Sequence, residues 1–214
     1  MYSLPYFKEQ DTEVIHTFMH EHPFAVVTGC TANEPVATQL PLLVEWREQK
    51  LFLIGHMMRK TDHHLAFEKN QQVLVLFTGP DTYVSASWYT DPVEASTWNY
   101  MTLQVKGTLQ FLPPEDLPSI LQRATAIFEN DPKSPSLFEK LPEKYVQSLS
   151  KAIIPFEIEV TAINNVFKLS QNRDAQSYDR IIHELLKGNA DAKNIAEEMQ
   201  KRRTQLFSGE KQPV

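Results

Sequence analysis

The most concentrated group of functional side chains lies in residues 54–61, which read Ile-Gly-His-Met-Met-Arg-Lys-Thr. The segment follows a predicted strand and brings together four polar residues, His56, Arg59, Lys60 and Thr61. An arginine fork, a lysine charge and a threonine hydroxyl are groups that bind a phosphate monoester. A solvated basic turn is the alternative interpretation, and the pattern alone leaves both open.

Large aromatic residues form a second group at the ends of predicted strands. Residues 83–89 read Tyr-Val-Ser-Ala-Ser-Trp-Tyr, and residues 97–100 read Thr-Trp-Asn-Tyr. Such a surface could cover a planar ligand while Ser, Thr and Asn side chains hydrogen-bond the ligand's edge. Tryptophan and tyrosine are also common in dimer interfaces, so a contact with a second copy fits equally well.

A third polar group comes directly after the predicted closing strand. Residues 168–173 read Lys-Leu-Ser-Gln-Asn-Arg. A run of this kind is usually a solvated turn or a helix cap. Two cations beside serine, glutamine and asparagine would also suit a polar binding site.

Composition excludes several classes of function. The six glycines are far apart in the chain, whereas Walker-type and dinucleotide-binding loops need clustered glycines. The formal net charge of −6 disfavours direct binding to nucleic acid, and the sequence shows no helix-turn-helix pattern. The lone cysteine, Cys30, excludes an internal disulfide and a multi-cysteine zinc site.

The histidines do not define a metal site. His16 and His20 lie four residues apart on a predicted helix and could present two ligands. No third ligand is placed beside them, so exposed helix histidines are the favoured interpretation, and the same holds for the pair at 63–64. Nucleophilic catalysis is not predicted either, because Cys30 has no assigned partner and no Gly-x-Ser-x-Gly motif occurs. No catalytic residue is assigned.

Hydrophobic periodicity predicts a mainly β fold with helices. Asp11 is the expected N-cap of a first helix that Pro23 ends. Strands are predicted at 24–28, 36–43, 51–54, 73–77, 83–87 and 100–112, with a turn at 79–81 and a closing strand or hairpin at 155–169. Helices are predicted at 63–69, 114–129, 143–152, 178–186 and 192–206. Short strands at hairpin spacing favour a β-barrel or sandwich.

Four motifs in this order resemble the PaiB family, described as FMN-binding negative transcriptional regulators. They are His-x-x-Arg at 56–59, Phe-Thr-Gly-Pro-x-x-Tyr-x-Ser-x-Ser-Trp-Tyr at 77–89, Thr-Trp-Asn-Tyr at 97–100 and Lys-Leu-Ser-Gln-Asn at 168–172. The resemblance extends from Met1 to about Leu186. It implies a split β-barrel of the pyridoxamine-phosphate oxidase type, a homodimer with FMN at the subunit interface. We expect the barrel domain over 1–170 and a C-terminal helical extension of the same domain over 171–214.

The resemblance also implies roles for the polar and aromatic groups. Arg59, Lys60 and Thr61 would hold the FMN phosphate with help from His56. Residues that would border the flavin or the dimer seam, or complete the pocket, are Ser85, Trp88, Trp98, Asn99, Lys168, Ser170, Gln171 and Asn172.

The chain departs from the family pattern at several of these positions. The family usually has His-x-Ala-Arg-x-Asn-Pro, where residues 56–62 read His-Met-Met-Arg-Lys-Thr-Asp. Ala86 and Ser96 also replace prolines of the family motifs. Since proline fixes φ, these losses predict a less rigid pocket and weaker flavin binding.

Three functions follow as hypotheses. The first is negative regulation of degradative-enzyme and sporulation genes, acting indirectly through a partner or a metabolite. The second is FMN-dependent oxidoreduction of a small molecule, as in flavin reductases or pyridoxamine-phosphate oxidases. The third is an interaction barrel whose pocket is empty or holds another ligand. The absence of a membrane-length apolar run or a secretion signal predicts a cytoplasmic protein without membrane contact.

Overall fold

The computed structural model describes residues 4–91 and 93–208. The helices in this range are α1 (Thr12–Glu21), α2 (Asp62–Lys69), α3 (Leu117–Glu129), α4 (Glu143–Ser150), α5 (Ala175–Leu185) and α6 (Ala190–Leu206). The strands are β1 (Phe24–Cys30), β2 (Pro35–Pro41), β3 (Leu43–Arg47), β4 (Lys50–Met58), β5 (Gln72–Val84), β6 (Thr97–Phe111) and β7 (Ile153–Lys168).

The first two helices begin at side-chain caps. The Asp11 carboxylate accepts a hydrogen bond from the Glu13 N–H at 2.9 Å, which confirms Asp11 as the N-cap of α1. Phe18 and Met19 form the buried face of α1. Thr61 caps α2, which comes directly after β4. Arg59, Lys60 and Thr61 therefore lie on the connection between a strand and a capped helix, whereas His56 lies within β4.

The seven strands form one sheet in the order β2-β1-β5-β6-β7-β4-β3. The two outermost strands, β2 and β3, are joined by Leu42 alone. In a flat sheet of seven strands the outer strands would be roughly 29 Å apart, a distance that one residue cannot span. The sheet must therefore curl back on itself, as a barrel does. This confirms the predicted split β-barrel with helices.

The chain divides into two compact units, each described by itself. Among the described residues, unit 1 comprises residues 4–15, 78–91, 93–103 and 164–208, and unit 2 comprises residues 16–77 and 104–163. In unit 2, α2 lies close against β1: a Cβ at Gly29 would be 2.7 Å from Phe67 Cε1, so only glycine permits this approach. In unit 1, α5 and α6 bury Tyr178, Ile181, Ile195 and Met199.

In two places the predicted division into strands is wrong. The turn expected at 79–81 does not form, because β5 continues through Gly79, Pro80 and Asp81. The strand pair β1–β5 uses Leu74 to Leu76, before the proline, so that edge needs no donor from Pro80. The strand predicted at 36–43 is instead two strands, since the chain leaves β1 at Pro41 and pairs with β4 from Leu43 onward.

Other features agree with the sequence or stay predictions. The closing segment is a single strand, β7, rather than a hairpin. No helix in the described ranges is long and apolar enough to cross a membrane. The domain bounds 1–170 and 171–214 and the cytoplasmic location stay predictions. The last six residues, 209–214, lie outside the described residues.

Candidate functional site

Arg59 opens a short loop, residues 59–61, that we call the Arg59 loop. The Arg59 backbone N–H donates to the Ala152 carbonyl at 2.8 Å, and the Arg59 Nε donates to the Ile153 carbonyl at 3.0 Å. These bonds fix the guanidinium at the start of β7. Within residues 4–91 and 93–208, no carboxylate forms an ion pair with Arg59. Its two Nη groups can therefore donate to an anionic ligand.

Lys60 adopts a backbone conformation that favours glycine. Its φ is 64°, and its N–H donates to Nδ1 of His64 at 3.4 Å. His64 is buried and its ring lies 5.0 Å from that of Phe111, measured between centroids. The Lys60 side chain is exposed and, in the described part of the chain, forms no ion pair. The loop thus holds a second positive charge, an ammonium, in solvent.

The Thr61 hydroxyl is used by the fold itself. It donates to the Met58 carbonyl at 3.1 Å and accepts from the His64 N–H at 3.4 Å. It also lies 3.0 Å from Nε2 of His63. In this arrangement the hydroxyl has no proton left for a phosphate, and its role is to cap α2 behind the Arg59 loop.

His56 lies on β4 opposite Pro155 of β7. It is half-buried, and burial lowers the pKa of its imidazole from the ordinary value of 6.5. His56 is therefore neutral at pH 7. It can offer a hydrogen bond to a ligand but adds no positive charge to the Arg59 loop.

This burial predicts a pH-dependent stability. Burial lowers the pKa of His56, His20 and His22 below 6.5 in the folded protein, so below that pH the unfolded chain binds more protons. The free energy of unfolding should be at its maximum above pH 6.5 and should fall as the pH drops towards 5.5. Urea unfolding at pH 7.5, 6.5 and 5.5 measures this free energy. The H56Q variant should lose less of it between pH 7.5 and pH 5.5 than the wild type does. Equal stability at pH 5.5 and 7.5 would contradict the prediction.

The other predicted site residues lie in unit 1, where β6 begins and β7 ends. Lys168 donates through Nζ to the Thr97 hydroxyl and to the Trp98 carbonyl, the latter at 2.8 Å. Burial lowers the pKa of the Lys168 ammonium. Lys168 therefore ties the first residues of β6 to the last residue of β7.

Asn99 and Ser170 form a buried hydrogen-bonded pair. Asn99 Nδ2 donates to Ser170 Oγ at 3.0 Å, and Ser170 Oγ lies 3.1 Å from Asn99 Oδ1. The exposed fractions are 0% for Asn99 and 2% for Ser170. Asn99 Nδ2 also lies 3.6 Å from Met199 Sδ on α6. Both side chains face the interior of unit 1 and satisfy each other there.

The turn after β7 is closed by Gln171. Its Oε1 accepts from the Leu169 N–H at 2.7 Å, and its Nε2 donates to the Phe167 carbonyl at 2.5 Å. Ser170 in the same turn has a φ of 62°. Asn172 is exposed. Within this turn, Gln171 serves the backbone and Asn172 faces solvent.

The aromatic residues differ in exposure. Trp98 is 54% exposed and meets the 49% exposed Tyr83 edge to face, with centroids 6.0 Å apart. Trp88 is half-buried in a 3₁₀ turn that Ser85 caps by accepting from the Ser87 N–H at 3.2 Å. The exposed Tyr83–Trp98 pair offers an apolar surface for a ring or for a second copy of the chain.

Sequence reasoning missed the partners of two residues that shape these groups. Arg173 lies with its guanidinium carbon 4.1 Å above the Tyr89 ring and forms an ion pair with Glu94. It is the last residue of the predicted polar run, but nothing in the sequence assigns it these partners. His64 supports the Arg59 loop, because its Nδ1 accepts from the Lys60 N–H and its own N–H donates to the Thr61 hydroxyl. In the sequence, only its position three residues after the helix-capping Thr61 indicates this role.

The predicted residues thus fall into two groups, one in each unit. The Arg59 loop and His56 lie in unit 2. The other predicted site residues lie in unit 1, within residues 85–99 and 168–172. Among the described residues only Glu48, Lys60, Asn130 and Ser170 are non-glycine residues with positive φ. One of them lies in each predicted group. Strained backbone of this kind concentrates at functional sites.

Comparisons with known proteins agree with the motifs. The model of a family described as "Putative FMN-binding domain" matches residues 1–162. A protein of Bacillus subtilis, "Protease synthase and sporulation protein PAI 2", is 34% identical over 201 residues, which cover 94% of this chain and 97% of that protein.

Solved structures share the fold. A FAD and heme binding protein from Mycobacterium smegmatis aligns with a TM-score of 0.55 at 16% identity, over 75% of this chain and 72% of that chain. A flavocytochrome from Azotobacter vinelandii aligns with a TM-score of 0.56 at 14% identity, over 78% of this chain and 72% of that chain. At these identities the alignments establish a common fold.

Proposed function

The chain belongs to the FMN-binding domain family and is a PaiB-like member of it, and from this premise we propose that it binds FMN with the phosphate at the Arg59 loop. One observation carries the proposal: Arg59 and Lys60 are adjacent cations that, among the described residues, have no carboxylate partner. The Arg59 guanidinium is held through Nε by the Ile153 carbonyl, so its orientation is set before a ligand arrives.

The residues present fit a phosphate monoester. The two Nη groups of Arg59 supply a fork, Lys60 supplies a mobile point charge, and Thr61 keeps the start of α2 in place. Asp62 adds a negative charge beside the loop, where the family usually has proline. Hydrogen bonds from the His63 backbone and side chain lower the pKa of this carboxyl, so it is ionised at neutral pH. This charge is a second reason to expect weaker binding than in typical family members.

FMN, when bound, would supply electron or hydride transfer through its isoalloxazine ring. The chain's own residues bind and orient it. Arg59 and Lys60 neutralise the phosphate, and the neutral His56 adds a hydrogen bond without charge. In unit 1, the exposed Tyr83–Trp98 pair would meet a second copy of the chain, and Lys168, Asn99 and Ser170 hold the strand ends on which Trp98 lies.

An absorption spectrum and a binding titration test the proposal. Freshly purified protein should show oxidised-flavin bands, or, if it is isolated without cofactor, should quench FMN fluorescence saturably. A colourless protein that leaves FMN fluorescence unchanged at millimolar protein would contradict the proposal.

Lys60 provides a prediction in which stability and binding move in opposite directions. Lys60→Gly removes a side chain from left-handed backbone, which should leave the free energy of unfolding unchanged or raise it by up to about 1 kcal/mol. The same change removes the ammonium and should raise the Kd for FMN. Urea unfolding and fluorescence titration of this variant measure the two effects. A Kd equal to that of the wild type would exclude Lys60 from the phosphate site.

For the biological role we propose negative regulation of gene expression by an indirect route. The support is the name of the Bacillus subtilis relative, which refers to protease synthesis and sporulation. The net charge of −6 argues against direct contact with DNA. Gel-shift titrations at several salt concentrations should give no sequence-selective complex with the purified protein. Tight, selective binding would replace the indirect route with a direct one.

FMN-dependent oxidoreduction is a second candidate. The observation that favours it is the shared fold with proteins described as a flavocytochrome and as a FAD and heme binding protein. The FMN-loaded protein should then oxidise NAD(P)H or a small reductant in steady state. A loaded protein inert to such reductants and to pyridoxamine phosphate would leave regulation as the role.

A homodimer is proposed as well, with the exposed Tyr83 and Trp98 side chains in or near the contact. Sedimentation velocity of the wild type and of a Trp98→Ser variant would test this. Dissociation of the variant into monomers is the expected result, and an unchanged dimer would place the contact elsewhere.

A further inference from the structure

A second group of ligands lies on α1, apart from the residues assigned to FMN. His16 and His20 are one helical turn apart, and their Nε2 atoms are 3.2 Å from each other. The two rings meet edge to face with centroids 4.5 Å apart. His16 is half-buried and His20 is exposed, so both can be reached from solvent.

The distance between the two nitrogens fits a shared metal ion. Imidazole nitrogens bind zinc at about 2.0–2.1 Å. Two nitrogens 3.2 Å apart at that bond length subtend an angle of about 100° at the metal. This value lies between the angles of square-planar and tetrahedral coordination, and a bound ion would replace the hydrogen bond that the two rings share.

We propose that His16 and His20 form a bidentate site for a divalent transition-metal ion, of the class of Zn²⁺, Ni²⁺ or Cu²⁺. Imidazole is a ligand that these ions share. In the described ranges, no group of three or more His, Cys, Asp or Glu side chains is placed to hold a metal. Water or an exchangeable ligand completes the coordination, so the site binds reversibly and is not a structural zinc centre.

Metal binding at this pair would also act on the stability of the fold. A bound ion would cross-link two turns of α1 and stabilise the folded chain, because it binds the folded state preferentially.

Isothermal titration of the full chain with ZnCl₂ and NiCl₂ at pH 7.5 tests the site. The wild type should bind one ion saturably, and the midpoint of thermal unfolding should rise with metal. His16→Gln and His20→Gln should each weaken binding by at least about tenfold, because either change removes the chelate. Both substitutions lie on the accessible face of a helix, and circular dichroism checks that the fold is kept.

His22 provides the matched control. It lies on the same chain segment, but its ring packs against Phe18 with centroids 4.4 Å apart. His22→Gln should bind metal like the wild type, and so should Cys30→Ser, which removes the exposed thiol. Wild-type affinity in His16→Gln and His20→Gln, or no saturable binding by the wild type, would overturn the proposal. Either result leaves the FMN titration unaffected, so the two proposals fail independently.

Discussion

Replacing Arg59 by alanine should weaken FMN binding by about 1.5–3 kcal/mol, the range for hydrogen bonds to charged groups. This corresponds to about a 10- to 150-fold higher Kd. The reason is that the Arg59 guanidinium is anchored through Nε to the Ile153 carbonyl at 3.0 Å while its Nη groups stay available to the phosphate. Fluorescence titration of FMN with the wild type and the variant measures the change.

Arg59→Lys separates the paired donors of the Arg59 guanidinium from its positive charge, and Arg180→Ala is the control. Arg59→Lys keeps a cation but loses the paired donors, so its Kd should lie between those of the wild type and Arg59→Ala. Arg180→Ala removes an exposed arginine of α5 and should leave the Kd unchanged. An Arg59→Ala variant that is folded and binds FMN like the wild type would place the phosphate elsewhere.

Replacing Asn99 by alanine should lower the free energy of unfolding by about 2–4 kcal/mol. Asn99 is fully buried and pairs with Ser170 at 3.0 Å. The variant leaves the Ser170 hydroxyl buried without its partner and opens a cavity beside Met199. Urea unfolding measures the loss, and the Kd for FMN of the folded variant should be unchanged, since the side chain faces inward.

The double variant Asn99→Ala/Ser170→Ala provides the control for this pair. The double variant should be destabilised by less than the sum of the losses in the two single variants, because each single change leaves the other side chain buried without its hydrogen-bond partner. Asn172→Ala, two residues from Ser170 but exposed, should change stability by less than about 0.5 kcal/mol. If Asn99→Ala keeps full stability but loses FMN, then Asn99 is a cofactor ligand rather than a support.

Local patterns were sufficient to predict much of the fold. Asp11 and Pro23 bound the first helix, and the alternation over 155–169 marks β7, because both signals lie within a few residues. The path of β5 through Pro80 was not predictable in this way. Whether a proline ends a strand depends on which edge is paired, and that is set by β1, about fifty residues away in the chain.

The candidate site shows the same division. Arg59 and Lys60 can be identified from residue type alone, because adjacent cations after a strand suit an anion. The sequence does not reveal that the Thr61 hydroxyl donates to the Met58 carbonyl and caps α2. It also does not distinguish the buried Asn99 from the exposed Trp98 beside it, since burial at this end of β6 depends on Met199 of the distant α6.

Comparison of FMN with riboflavin tests the central claim most directly, because the two ligands differ only in the phosphate. We predict that the wild type binds FMN at least about tenfold more tightly than riboflavin, and that Arg59→Ala loses most of this preference. Equal affinity of the wild type for the two ligands would contradict a phosphate site at the Arg59 loop.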